Sequence, residues 1–237
     1  MTRAPKESSR SRQPRTVRES DITAAAYAIF SDKGYEKSVM NEIAKQAGVA
    51  EGTIYKYFSN KQDLLARVIS VFYTKLIAST EASLIGINGF ENQLRVIINR
   101  HIQTFFEDLG LCRLLLQEVR PLTNYPHSEV HQLTKRYSEI FLNVIESAID
   151  HGEIRDGISP QTIRDMVFGC LEHAGWNVLA SNNIKINMEQ LTNEIITIIL
   201  GGLTPAQKDS EDFERNLIRL DDLVTRLEKN NNSGNLP

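Results

Sequence analysis

The stretch Glu51-Gly52-Thr53-Ile54-Tyr55-Lys56-Tyr57-Phe58 gathers a hydroxyl, an ammonium, two phenols and a glycine within two turns of chain. Read as a helix, it turns Val49, Ile54 and Phe58 inward and leaves Glu51, Gly52, Thr53, Lys56 and Tyr57 outward. A face with small residues, a hydroxyl, a cation and an aromatic ring suits the major groove of a duplex, where an approaching helix needs clearance as well as donors. The spacing alone fits an ordinary helical hairpin equally well. Other groupings carry less. His127 and His131, four apart with Glu129 between them, could ligate a metal from one helical face; no third ligand is evident, and exposed or capping histidines are the preferred reading. Glu172-His173 near Trp176 sets a base beside a pocket, without a nucleophile, an orienting partner or a Gly-rich phosphate loop, so no catalytic residue and no cofactor is assigned. Cys112 and Cys170, each among apolar neighbours, form neither a disulfide framework nor a metal pair and are expected as core thiols.

The elements that must position these residues are helical nearly throughout. Apolar residues recur three and four apart, and no sustained two-residue alternation occurs, which predicts an all-α fold. At 237 residues and 41% hydrophobic content, a sizeable core is affordable. The first helix is expected from about Arg18 to Lys33, with Ile22, Ala25, Ala26, Ile29 and Phe30 on one stripe and Gly34 as its stop. Ser38 reads as the cap of a second helix, Val39 to Gln46. Gly48 then supplies the left-handed backbone that lets the third helix, about Ala50 to Phe58, meet the second steeply. Ser59 or Asn60 caps a fourth. Pro126, Gly152, Ser159-Pro160 and Asn187 with Gln190 mark later boundaries. Residues 1–17, rich in Ser, Arg and Pro, are expected to be disordered. Residues 204–237 are expected to hold an amphipathic helix with Phe213, Leu217, Leu220, Val224 and Leu227 on one stripe, then a disordered end.

Charge segregates along the chain. The whole carries −3, but residues 1–65 hold eleven basic against eight acidic side chains, leaving sixteen against twenty-two for the rest. One part is therefore suited to phosphate and the other is not. Six cations, Arg3, Lys6, Arg10, Arg12, Arg15 and Arg18, have no apolar stretch behind them, which argues against a secretory leader. With no apolar run long enough for a membrane span, a cytoplasmic protein is expected.

The run from Asn41 through Phe58, followed by Asn60-Lys61-Gln62-Asp63-Leu64-Leu65, resembles the DNA-binding domain of the TetR family. The preceding Ala-rich helix and the Gly34-Tyr35 corner match as well. The resemblance implies an N-terminal three-helix helix-turn-helix domain (18–66), joined through a fourth helix to a helical-bundle domain for ligand binding and dimerisation (67–203). It implies a homodimer on palindromic operator DNA, a repressor released by a small effector. Transferred residue by residue, it makes Gly52, Thr53, Lys56 and Tyr57 the groove-facing set. Tyr55 is expected to pack while its hydroxyl reaches a phosphate, and Ser38 to cap and touch phosphate together. Lys61, at a capped helix N-terminus, is the foremost phosphate ligand. The last two long helices, about 160–203, would form the dimer interface.

A weaker resemblance links Leu115-Leu116-Gln117-Glu118-Val119-Arg120, Ile149 through Ile154 and Val167-Phe168-Gly169 to acyl-CoA-responsive repressors of fatty-acid degradation in the same family. It implies Arg120 and Arg113 on polar groups of an amphiphilic ligand, and Phe105, Phe106 and Trp176 along its chain. Plain ion pairs and plain core remain open for these residues. A multidrug or other hydrophobic-ligand sensor stays an alternative, as does a helical adaptor with a vestigial DNA-binding domain. The basic arm could enter the minor groove or merely speed encounter. Deleting residues 1–15 is expected to weaken operator binding and to flatten the dependence of log K on log salt, which a titration at several salt concentrations would check.

Overall fold

The computed structural model describes residues 14–155, 157–180, 187–204 and 218, and every long element among them is helical. Helix α1 spans Arg15–Lys33, α2 Met40–Gln46, α3 Glu51–Ile54 and α4 Lys61–Leu84. Helices α5 (Phe90–Glu107) and α6 (Leu109–Leu114) follow, then a single π-helical turn at Leu115–Val119 and a 3-10 turn at Tyr125–His127. Helices α7 (Glu129–Asp150), α8 (Pro160–Ala180) and α9 (Met188–Leu203) complete the body.

Local chemistry accounts for most boundaries. Gly34 at φ 78° and Gly48 at φ 65° take the left-handed backbone that ends α1 and turns α2 into α3. Asn60 accepts from the Asp63 amide at 2.8 Å while Asp63 accepts from the Ser59 amide at 2.9 Å, a reciprocal cap on α4. Ser128 caps α7, Ser159 accepts from the Thr162 amide, and Asn187 caps α9. Three expectations are corrected. Arg15, Thr16 and Val17 belong to α1, which starts behind Pro14, so order begins before residue 18. Ser38 does not cap α2: Val39 holds that position, and the Ser38 hydroxyl donates to the Tyr35 carbonyl at 2.6 Å. Cys112 is buried, but Cys170 is an exposed thiol on α8. Residues 1–13 of the basic arm and the stripe from Phe213 to Leu227 lie outside the described residues.

Two apolar clusters hold the molecule. One joins α1, α2 and α3 to α4 and continues without a break into Leu111, Leu114 and Leu115 of α6 and the π-turn, then Val130 and Tyr137 of α7. The other joins α5, α7, α8 and α9 around Phe141, Ile98 and Ile145. Within the first, α6 lies so close to α1 that a Cβ on Gly110 would stand 3.3 Å from the Ser31 backbone. A side chain there would fit only if Ser31 gave way by a few tenths of an ångström. Ile54 is fully buried and ties the short α3 to this core. Ile54→Ala is expected to cost about 2–5 kcal/mol in a urea melt, with operator affinity falling alongside.

Candidate functional site

The surface carrying α3 is built from two helices too short to stand alone. Ile43 and Ala44 bury α2, and Ile54 and Phe58 bury α3, so both take their direction from the core. Gly52, Tyr55 and Lys56 are exposed, Thr53 is half-buried, and nothing lies within 4 Å of a Cβ built on Gly52. The two phenols exchange their expected places. Tyr55 is 50% exposed, whereas Tyr57 packs against the core cluster with the Arg15 guanidinium 5.5 Å from its ring centre. Glu51 accepts from Asn41 at 3.1 Å, which binds α3 to α2.

Two anchoring residues make contacts inside the protein that the sequence does not signal. Ser38 is buried, its hydroxyl spent on Tyr35, which leaves it no outward contact. Lys61 sits in the first turn of α4, but its ammonium donates to the carbonyls of Tyr35 at 2.7 Å and Ser38 at 3.1 Å, and lies 4.2 Å from the Tyr35 ring centre. It clasps the α1–α2 corner to α4, with one N–H remaining for an outside acceptor. The exposed Val39 at the start of α2, 51% accessible, had no signal in the sequence because it was counted as a helix-starting apolar residue.

A cavity of about 110 Å³ opens inside the C-terminal helices, walled by Tyr73, Leu76, His101, Leu115, Tyr137 and Phe168, with Arg120 and Glu172 at its polar end. Arg120 holds both carboxylate oxygens of Glu172, at 2.7 and 2.8 Å. Burial works against the charge of Arg120, yet the Glu172 carboxylate beside it leaves its pKa above the usual value. The π-turn ends at Arg120, whose amide donates to the Leu115 carbonyl at 3.0 Å, and such turns are frequent at functional sites. The cavity thus gathers Arg120 but neither Arg113 nor Trp176. Arg113 is exposed, lining a groove between the end of α1 and α6, and Trp176 is not part of the cavity wall. The side chains of Phe105 and Phe106 lie outside the described residues. His127 and His131 do not share a helix, since Ser128 caps α7 between them, and the described residues hold no group of three or more metal-ligating side chains.

Sequence reading also missed the ties between the two regions, because their members are remote in the chain. Tyr27 of α1 donates to Asp108, the cap of α6. Arg67 of α4 reaches Glu19 at 3.1 Å and Glu129 at 3.9 Å.

The comparisons bear on both halves. A family profile described as bacterial regulatory proteins, tetR family, matches residues 22–68, and one described as YsiA-like protein, C-terminal region, matches residues 72–202. The chain belongs to the TetR family. It is accordingly a DNA-binding transcriptional regulator of that family. The fatty acid metabolism regulator protein of Bacillus subtilis is 28% identical over 182 residues, 77% of this chain and 93% of that protein. The crystal structure of FadR from Bacillus subtilis in complex with stearoyl-CoA superposes with a TM-score of 0.70 at 27% identity, covering 77% of this chain and 98% of that one. FadR from Bacillus halodurans superposes at 0.68 and 25% identity, covering 78% and 98%. None of the described helices is long and apolar enough to cross a membrane.

His101 gives this TetR-family chain a pH signature. Its ring stacks on Tyr137, with Nδ1 3.2 Å from the Tyr137 hydroxyl, and packs against Phe168. Burial, with the Arg120 charge adding to it, pushes its pKa down from 6.5 to about 4. The unfolded chain takes up this proton near 6.5 and the folded chain only near 4. Stability from this residue is therefore intact above 6.5 and is lost as pH falls towards 4, by on the order of 3 kcal/mol. Urea midpoints measured across that window should drop in the wild type, and His101→Phe should make the drop shallower; equal slopes would contradict the assignment.

Proposed function

We propose that the chain binds palindromic operator DNA as a homodimer and is released by a small amphiphilic effector with an apolar chain, an acyl thioester being the leading class. The observation that carries this reading is a shared wall. Helix α6 and the π-turn supply Cys112, Leu115 and Leu116 to the cavity, and the same α6 is pressed on α1 through Gly110 and Tyr27. A ligand that enlarges the cavity has to move that wall, and α1 carries the core on which α3 rests. Shifting operator occupancy substantially needs a coupling of about 1–3 kcal/mol, within reach of one pocket ligand.

The apolar walls fit an alkyl chain, and the stearoyl-CoA held by the Bacillus subtilis relative is of the same chemical class. Arg120 would take the polar part by releasing Glu172. For dimerisation, α8 and α9 leave Met166 65% and Ile198 73% exposed, beside the exposed glycines Gly169 and Gly201. Large apolar side chains left bare next to small ones invite a second copy. Two recognition helices can then be held about one duplex turn apart.

On the DNA side, Thr53, Tyr55 and Lys56 are the outward donors, and Gly52 supplies clearance for the groove. Gly52 has helical backbone and open space around it, so Gly52→Leu is expected to fold normally while filling that clearance. Fluorescence anisotropy on DNA flanking the chain's own gene should show specific binding lost in Gly52→Leu, with an unchanged thermal melt. Lys56→Ala should lower the slope of log K against log salt by about one. Wild-type affinity in Gly52→Leu would remove α3 as the reading helix.

A further inference from the structure

A second cavity, of about 560 Å³, lies at the junction of α1, α4 and α6. Ala24 of α1, Val68 and Val71 of α4 and Leu111 of α6 give it an apolar floor. Phe72 and Thr104 line both this cavity and the one beside Arg120. The inner cavity, at about 110 Å³, is small against the roughly 300–1,000 Å³ of sites that enclose a drug-sized ligand, whereas the junction cavity falls within that range.

We propose that the two cavities are compartments of one effector site, separated by Phe72, and that only a chain long enough to pass Phe72 loosens α1. This rests on the effector reading above and specifies how the ligand is measured. Charge sets the ligand's direction. The junction rim holds Glu19, Glu107 and Asp108 against Arg67 and Lys75, and Arg67 is already bound to Glu19 at 3.1 Å. A polyanionic head group is disfavoured there, while an alkyl chain suits the floor. On the inner side of Phe72, Arg120 faces the single carboxylate of Glu172, at 2.7 Å, and offers a carbonyl or anionic head its cation once that pair opens. The head therefore stays with Arg120 and the chain points towards α1.

The consequence is a response graded by length. A short chain fills the inner compartment and stops at Phe72. A longer one turns Phe72 aside and enters the space walled by Thr23, Ala24 and Tyr27, where it meets the Tyr27–Asp108 link between α1 and α6. Breaking that link removes the polar tie between α1 and α6 and leaves their contact to the Gly110–Ser31 approach and the shared apolar core.

The test uses full-length protein and saturated acyl-CoA thioesters from hexanoyl to stearoyl, with calorimetry for binding and anisotropy for operator release. In wild type, release should appear only with the longer members. Ala24 is exposed on α1, so Ala24→Phe fills the junction compartment without disturbing the core. This variant should still bind the short thioesters while losing at least about tenfold in release by stearoyl-CoA, and Phe72→Trp should do the same from the other side. Release independent of chain length, or stearoyl-CoA acting equally on wild type and both variants, overturns the compartment proposal and leaves the effector class standing. No binding by any thioester overturns the effector class, and this proposal with it.

Discussion

Burial of Ile54 among α1, α2 and α4 is the interaction on which the DNA-facing surface depends. Four residues of helix close too few hydrogen bonds to offset the entropy of fixing them, so α3 has no stability of its own. Its orientation comes from Ile54 and Phe58 in the core, from Asn41 holding Glu51, and from the steep turn at Gly48. The outward residues contribute almost nothing to that support. Their side chains are free to be chosen for what they meet rather than for what they hold.

The same core does not end with the DNA-binding helices. Leu111, Leu114 and Leu115 carry it into α6 and the π-turn, which also wall the cavity beside Arg120. Packed interiors transmit displacement because they have little free volume to absorb it. Gly110 against Ser31 makes the transmission short, since two backbones stand in contact with no flexible side chain between them. The polar elements at this boundary act differently. Tyr27 with Asp108 and Arg67 with Glu19 and Glu129 are exposed or half-exposed links, each worth little by itself beside the packed core.

Lys61 shows how a residue's place can be legible while its partners are not. Its position in the first turn of a helix capped by Ser59 or Asn60 was legible in the sequence. Its partners, the Tyr35 and Ser38 carbonyls, lie more than twenty residues away and have no local signature. Ser38 was misread for a related reason: a hydroxyl before a helix can cap it or fold back on the preceding turn, and the choice depended on the buried corner. Tyr55 and Tyr57 were both visible as aromatic residues of the expected third helix, which the structure ends at Ile54, leaving both in the turn that follows α3. Which of them packs was decided by where α1 crosses, with Arg15 lying over Tyr57.

By itself the sequence determined what short-range rules control: the all-helical class, the stops at Gly34 and Gly48, the cap of α4 to within Ser59 or Asn60, the caps at Ser159 and Asn187, the buried positions of Ile54 and Phe58, and the family. Helical periodicity and capping are set by neighbours within about four residues, so a single chain displays them. The tertiary structure alone decided that Arg120 meets Glu172, that Arg113 and Trp176 are not in the cavity wall, and that Phe72 and Thr104 line two neighbouring cavities. Those outcomes depend on which faces of remote helices close on one another, and no spacing along the chain encodes a distance across it.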